Sequence, residues 1–550
     1  MTDGKHIKVF DTTLRDGQQC PGAGMSFEQN LEYARLACDL RIDVLEAGFP
    51  SASALDFEIV NTIAREYGTG FNRPVITGLC QLRREQIEKT IEALSPAIKF
   101  GKARLHTYVP VDAELMNASL GDRSQDKRNI IRDTFDFVRM AVDAGCEVQF
   151  SPEGYSRVGR NFDFTTELIR AAIEAGATVI NCPDTIGGAC ELEGEKYFVN
   201  NMRRHASMMA AEFPHKDITW SVHCHNDFGL AVQNTMNAVF QGPATQIEGC
   251  INGIGERAGN ASLEQCIMIV KHFGQSAEER RNVFTTCDTS KLQQLSDFVG
   301  NNMLPRQPHW PVSGDNAAKH SSGGHTNAIL KNPMAYQPFD PKEIGKQISF
   351  VFGPLSGGNH AKAIVEANGF ICQEQEKAAV AQFIKDKFRQ RRKGITDQEL
   401  MAAYFEFRSP CAVQSVDYSK SGERSTVRVQ GTFLGNAVEI NHEHAGKDSA
   451  LAALKAAMEA YFGNFEILNH RSHSEGVGTN AVSRSFVTII DADDNRIEGS
   501  GSDRDIEISA MRALVDALNK SYVAKHFALH NTETCTNMQF QPSSQPASVA

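Results

Sequence analysis

No apolar run in the 550-residue chain approaches the length of a membrane span, which argues against an integral membrane protein and a membrane partner. Met1–Lys8 is polar and passes directly into an apolar, strand-like segment. The hydrophobic region of a secretory signal is therefore missing, and a cytoplasmic protein is expected. None of the thirteen cysteines forms a Cys-x-x-Cys pair. Odd in number and scattered, they point to neither a disulfide framework nor a structural zinc cluster and read as reduced packing residues. No long Lys/Arg stripe offsets the net charge of -11. The one short run, Lys385 to Lys393 with Arg389, Arg391 and Arg392, is of a kind usually found on a solvated helix face, so nucleic acid is not an expected partner. No Gly-rich dinucleotide fingerprint follows the first strand candidate, which disfavours a doubly wound nucleotide-binding sheet.

What is present is ordinary globular composition, with 41% hydrophobic and 22% charged residues, in a chain long enough for two or three domains. From Ile7 to about Phe273, short β-branched or aromatic runs alternate with longer helical stretches. The strand candidates are Ile7–Phe10, Val44–Ala47, Val75–Leu79, Arg104–Tyr108, Glu147–Phe150, Val179–Cys182, Thr219–Cys224 and Gln246–Ile251. Ser26 and Gln29 stand in capping-box spacing ahead of the first helix. Eight βα units in this length predict a TIM (β/α)8 barrel over residues 1–300.

Pro305, Pro308, Pro311 and the Gly/Ser-rich Ser321–Gly324 break that rhythm. Linker subdomains are expected over 301–404, with helices near Gly358–Asn368 and Glu374–Arg392. From about Phe405 the pattern changes to strand pairs, Ser425–Phe433 and Phe486–Asp491, each followed by a helix, at Ser449–Tyr461 and Ile506–Lys520. This predicts an α+β domain of two βα-type repeats over 405–522. The Ser-, Gln-, Pro-, Asn- and Thr-rich end of the chain predicts a disordered tail over 523–550.

A TIM barrel carries its chemistry at the C-terminal ends of its strands. The first strand ends in Asp11-Thr-Thr-Leu-Arg15-Asp16-Gly17, the fourth carries His106, the fifth runs into Glu153, and Asp184-Thr185 follows the sixth. The seventh carries His223 and His225, and the eighth leads to Glu256, Arg257 and Asn260. Two-residue spacing points both imidazoles to one face while Cys224 points away. An isolated His-x-His is more often a strand end packed under a loop; with Asp16 across the mouth, the pair becomes a candidate metal site. The Asn260 amide oxygen is a further candidate ligand. Imidazole plus oxygen suits Mg, Mn or Zn and leaves the choice among them open. Arg15 alone would read as half of a surface ion pair, but beside a metal it is a candidate for stabilising an oxyanion.

The segments Asp11-Thr-Thr-Leu-Arg-Asp-Gly-Gln-Gln, Glu46-Ala-Gly-Phe-Pro, His223-Cys-His-Asn-Asp227 and Asn252-Gly-Ile-Gly-Glu-Arg-Ala-Gly-Asn260 resemble the acyl-CoA condensing enzymes among the metal-dependent, pyruvate-lyase-like TIM barrels. The closest resemblance is to the 2-isopropylmalate synthase family, and it covers nearly the whole chain. His320-Ser-Ser-Gly-Gly-His325 and Pro338-Phe-Asp-Pro341 look like that family's linker subdomains. Residues 405–522, with Gly476-Val-Gly-Thr-Asn-Ala-Val482, look like its regulatory domain. The resemblance implies a divalent metal held by Asp16, His223 and His225 with Asn260 nearby, acetyl-CoA and a 2-oxo acid as substrates, and Arg15 stabilising an alkoxide. It places His106, Glu153 and Thr185 along the oxo-acid pocket, and assigns His325 and Tyr336 to proton removal. It further implies leucine or a related effector at the C-terminal domain, and a homodimer. Two segments depart from the family pattern, Tyr108-Val-Pro-Val-Asp112 and Gly154-Tyr155-Ser156-Arg157. Both lie near the expected oxo-acid pocket, so a pyruvate-using citramalate synthase or another chain-elongating synthase is the first alternative. A carbon–carbon lyase on the same barrel is a more distant one.

Overall fold

The computed structural model describes residues 4–70, 73–276, 281–391, 394–445, 450–476 and 481–529. By contact the chain divides into two compact units, Met1–Ala318 with Phe339–Ile348, and Lys319–Pro338 with Ser349–Ala550.

The first unit is a closed barrel of eight parallel strands. They are β1 (Lys8–Asp11), β2 (Val44–Gly48), β3 (Val75–Gln81), β4 (Ala103–Pro110), β5 (Glu147–Glu153), β6 (Val179–Asp184), β7 (Thr219–Cys224) and β8 (Gln246–Gly249). Closure comes from β8 pairing back onto β1, with Lys8 opposite Gln246 and Asp11 opposite Gly249. All eight expected strands are present. Around them run α1 (Phe27–Asp39), α2 (Ala54–Tyr67), α3 (Arg84–Ile98), α4 (Ala113–Leu120), α5 (Lys127–Asp143), α6 (Phe162–Ala175), α7 (Phe198–Glu212), α8 (Ala231–Phe240) and α9 (Leu263–Phe273), followed by α10 (Leu292–Asn302). The Ser26/Gln29 capping box forms as expected, and Ser53, Asp112 and Asp126 cap α2, α4 and α5 through backbone N–H groups. The apolar faces of these helices pack on the outside of the barrel, where Leu36, Ile63, Leu94, Val138, Ile169, Met202 and Ile267 are buried.

The inside of the barrel is polar. Arg104, only 1% exposed, donates from Nε to Glu147 Oε2 at 2.8 Å and from Nη1 to Gln246 Oε1 at 2.8 Å and Gln149 Oε1 at 3.2 Å. Gln246 Nε2 then donates to Ser221 Oγ at 2.9 Å and Gln149 Nε2 to Glu248 Oε1 at 2.8 Å. A buried guanidinium is tolerable only because each partner is placed to accept from it.

In the second unit, α11 (Gly323–Lys331), α12 (Gly358–Ala367), α13 (Lys377–Lys387) and α14 (Asp397–Arg408) precede two three-stranded antiparallel sheets. The first sheet is β9 (Cys411–Ser421), β10 (Arg424–Phe433) and β11 (Asn436–Ala445), followed by α15 (Ala450–Phe462). The second is β12 (Glu466–Glu475), β13 (Val482–Ile490) and β14 (Arg496–Asp503), followed by α16 (Ile506–Phe527). The expected strand pairs are therefore triplets. The third strands escape sequence reading because they alternate weakly, as in Asn-Ala-Val-Glu-Ile-Asn-His-Glu-His-Ala, where no residue is fully buried.

Other borders move as well. The expected division at 404/405 falls inside α14, whose Thr396/Glu399 capping box starts a helix that buries Leu400, Met401, Ala403 and Tyr404. By contact, residues 301–318 and 339–348 group with the barrel. The last helix passes the expected border at 522 and ends at Phe527; most of the expected tail, 530–550, lies outside the described residues, as do positions 477–480 of the Gly476–Val482 motif. Within the basic run, Lys387 and Arg391 pair with Glu406 and Glu399 of α14, while Arg392 and Lys393 lie outside the described residues.

Arg104→Met keeps much of the side-chain volume but strips donors from Glu147, Gln149 and Gln246. It is expected to lower the stability of the barrel by about 3 kcal/mol, read as a drop in its urea unfolding midpoint. An unchanged midpoint would show that the polar interior contributes nothing net.

Candidate metal centre and active site

Three loops at the C-terminal end of the barrel converge because the first and last strands are neighbours. After β1, Thr12 Oγ1 donates to the Gly249 carbonyl at 3.3 Å, and Thr13 Oγ1 accepts from Ile251 N–H at 3.0 Å. Asp11 is fully buried and receives Tyr33 Oη at 2.6 Å, which pins the start of the same loop. Beyond β7, His225 bridges to Asn260 of the β8 loop, and Asn226 N–H donates to the Gly259 carbonyl at 2.9 Å. Asp16, His223 and His225 are thereby brought together, as expected from their strand positions.

The His223 and His225 Nε2 atoms lie 3.4 Å apart, and Asp16 Oδ2 lies 3.5 Å and 3.9 Å from them. Donors held about 2.1 Å from a tetrahedral cation stand about 3.4 Å from one another, so these separations are those of ligands sharing a centre. Among the described residues this is the one cluster of His, Cys, Asp or Glu with such spacing. Burial opposes charge on Asp16, but Arg15 and the two imidazoles outweigh it and hold the carboxyl well below the usual carboxylate range. Burial drives the His223 imidazole down to about 3, with Asp16 pulling the other way, and lowers His225 as well. An ionised carboxylate and two neutral imidazoles are the protonation states a divalent cation requires.

Asn260 sits beside this cluster. Its Nδ2 donates to Asp16 Oδ1 at 2.9 Å and to the Ile254 carbonyl at 3.1 Å, while its Oδ1 is buried with no partner. An orphaned buried oxygen next to the triad fits a cation site that the protein alone does not complete. Gly255 leaves room for this arrangement. It has φ +152°, and a Cβ there would stand 2.1 Å from Asn260 Nδ2 and 3.1 Å from Asp16 Oδ1.

Arg15 is not a surface residue. Its Nε donates to Glu46 Oε2 at 2.6 Å and its Nη1 to Asp16 Oδ2 at 2.8 Å, so one guanidinium serves two buried carboxylates. Burial opposes the charge on Glu46, but Arg15 and His106 hold its carboxyl below the ordinary value. His106 Nδ1 meets Glu46 Oε1 at 2.6 Å and its Nε2 meets Ser151 Oγ at 2.7 Å. Sequence reading quoted Glu46 only as part of a motif, and missed Ser151, Gln149 and Glu248. Glu248 Oε2 lies 3.8 Å from His223 Nδ1. Their inward strand positions were the available signal.

Glu153 ends β5 with its carboxyl raised by burial, while nearby Arg15 pulls it down. Thr185 follows β6 and accepts the Gly154 N–H on Oγ1 at 2.9 Å. His325 and Tyr336 belong to the second unit, where their rings stack with centroids 3.9 Å apart. His320 lies 6.2 Å from His325 and bonds Gln337 at 2.8 Å.

A parallel barrel with an aspartate and two histidines at its mouth defines a class, and residues 6–299 match the HMGL-like family model. Residues 312–392 match the Homocitrate synthase post-HMGL domain-like model and 399–522 the LeuA allosteric (dimerisation) domain. The chain is 33% identical to 2-isopropylmalate synthase of Aquifex aeolicus over 96% of this chain and 98% of that one. Against 2-isopropylmalate synthase of Prochlorococcus marinus (strain MIT 9215) the identity is 34%, covering 94% of each. Against 2-isopropylmalate synthase 2, chloroplastic, of Arabidopsis thaliana it is 31%, over 100% of this chain and 87% of the relative. The chain belongs to the 2-isopropylmalate synthase family.

Two substitutions test the site. Purified His223→Ala is expected to retain less than a tenth of the wild-type metal content, measured by elemental analysis after dialysis against a dilute Mn, Zn or Mg salt. Gly255→Ala removes no ligand, yet it should weaken metal binding at least tenfold by displacing Asn260 and Asp16. Wild-type affinity in Gly255→Ala would show that the loop has room to spare.

Proposed function

We propose that this protein condenses acetyl-CoA with 3-methyl-2-oxobutanoate and water to give 2-isopropylmalate and CoA, the first committed step of leucine biosynthesis. The observation that carries this reading is full-length similarity to 2-isopropylmalate synthases in bacteria and plants, supported by an Asp/His/His cluster at the barrel mouth whose donors suit a divalent cation. The HMGL-like barrel alone would also suit a lyase, but the match to the LeuA allosteric domain favours the synthase.

Asp16, His223 and His225 would hold the cation, with the Asn260 oxygen available as a further donor. A divalent ion bound there supplies Lewis acidity to a 2-oxo acid ketone. Arg15, fixed by Glu46 and Asp16, presents a permanently charged guanidinium where the ketone oxygen gains negative charge, so little reorganisation is needed during reaction. His106 is held by Glu46 on one nitrogen and Ser151 on the other, which fixes its ring at the floor of the pocket. Thr185 accepts from Gly154 and keeps its own hydroxyl proton to donate to a substrate oxygen. Glu153, raised by burial, completes the polar side of the pocket.

Carbon–carbon bond formation requires a base to take a methyl proton from acetyl-CoA. The enolate carbon then bonds to the ketone carbon, and water cleaves the thioester to release CoA. His325 and Tyr336, from this chain or a partner copy, are the residues we assign to proton removal. Leucine or a related effector is the ligand we assign to residues 399–522, and a homodimer is the assembly we expect.

Free-thiol release with acetyl-CoA and a panel of 2-oxo acids tests the reading. The branched acid should exceed pyruvate by at least about tenfold in kcat/KM, a difference within reach of an apolar pocket. Chelation should abolish the activity, and pyruvate outperforming the branched acid would overturn the substrate assignment. His325→Ala is expected to lower kcat at least 100-fold while oxo-acid binding measured by calorimetry stays within threefold.

A further inference from the structure

The segments 108–112 and 154–157 meet one another. Arg157 Nη2 donates to Asp112 Oδ1 at 2.8 Å and Nη1 reaches Glu114 Oε2 at 3.3 Å, linking the loop after β5 to the loop after β4. The same Asp112 Oδ1 also accepts from Leu115 N–H at 3.0 Å as the cap of α4, so one carboxylate oxygen joins Arg157 to the start of that helix. Between them lies Gly154, at φ +75°, where a Cβ would stand 2.8 Å from both Asp112 Cβ and Leu115 Cδ1. The loops approach so closely that only glycine fits between them.

This contact bears on the oxo-acid pocket through one peptide group. The Glu153 carbonyl accepts from Val111 N–H at 2.8 Å, and the N–H of the same peptide, on Gly154, donates to Thr185 Oγ1 at 2.9 Å. Two further bonds brace it: Asn161 Nδ2 donates to the Val111 carbonyl at 2.8 Å, and Ser156 Oγ to Asp184 Oδ1 at 2.6 Å. Three successive loops are thus joined into one wall, with Glu153 and Thr185 on it. The Arg157 side chain is about a third exposed, 35%, so its ion pair contributes little to global stability. Its effect is on where the loops sit.

We propose that the Asp112–Arg157 pair is a positioning clamp that sets the width of the oxo-acid pocket and thereby its discrimination among 2-oxo acids. This rests on the condensation reading above and adds to it the residues that tune the substrate. Neither residue touches the reacting atoms; both act through the Glu153–Gly154 peptide and Thr185. A pocket wall displaced by a fraction of an ångström costs a tightly fitting branched substrate more than a smaller one.

The test is the kcat/KM ratio of 3-methyl-2-oxobutanoate to pyruvate in the full-length, metal-loaded protein, for wild type, Arg157→Ala, Asp112→Asn, the double variant and Arg157→Lys. The ratio should fall about fivefold or more in Arg157→Ala, and by less in Asp112→Asn, whose amide oxygen still accepts from Arg157, through a higher KM for the branched acid, with the KM for acetyl-CoA within about twofold. The double variant should fall no further than Arg157→Ala, because the two residues act as a unit. Arg157→Lys should recover part of the loss. A proportional loss on all oxo acids, or an unchanged ratio, would overturn the clamp. If Arg157→Ala does not fold, Arg157→Gln carries the test, since it removes the guanidinium from Asp112 while leaving the α4 cap untouched. Wild-type inactivity on the branched acid would instead defeat the condensation reading itself, so the two failures are told apart by the wild-type arm.

Discussion

One guanidinium shared by two buried carboxylates governs the mouth of this barrel. Arg15 binds Glu46 through Nε and Asp16 through Nη1, and its charge is the largest of the contributions that offset the cost of burying both carboxylates. From Glu46 the hydrogen bonds continue to His106, to Ser151 and on to Asn181. From Asp16 they continue to Asn260 and the β8 loop. His106 and the last loop are thus tied through hydrogen bonds to one guanidinium. Low dielectric strengthens these contacts and makes a missing partner costly, which is why the triad tolerates so little freedom.

The polar interior of the barrel extends the same logic downwards. Glu248 lies close to His223 above and accepts from Gln149, Gln246 and Ser221 below, and those amides are in turn held by Arg104. A barrel filled only with aliphatic side chains would gain burial energy but could not aim an imidazole. This chain places its apolar burial outside the strands, against the helices, and uses the inside for orientation.

Much of this was legible in the sequence, and the failures have physical causes. The eight strands stood out because parallel strands covered by helices are β-branched runs of similar length. The meeting of Asp16, His223 and His225 was legible because His-x-His on a strand and Asp16 after the first strand come together once the barrel closes. Glu46, Gln149 and Glu248 were not legible as a network: a polar residue facing a barrel interior has the same alternation as one facing solvent. The third strands of the C-terminal sheets were missed for the converse reason, since β11 is half-exposed along its length and has no strong apolar face. The start of the first helix was predicted from its cap because a cap is a local device, whereas the α14 border was not, because an apolar helix face does not say which neighbour it packs against.

The 22-residue α16 enters two cores at once. Its early turns bury Met511, Leu514 and Leu518 among the residues of the C-terminal sheets, and Val523 near its end is buried in the cluster formed by Phe352, Ile364 and Tyr404. A rod about 33 Å long that is gripped near both ends behaves as a lever. Any tilt imposed on it by the sheets must reappear at the far grip or break packing there, so the second unit has a stiff mechanical link already built between its sheets and its helical layer.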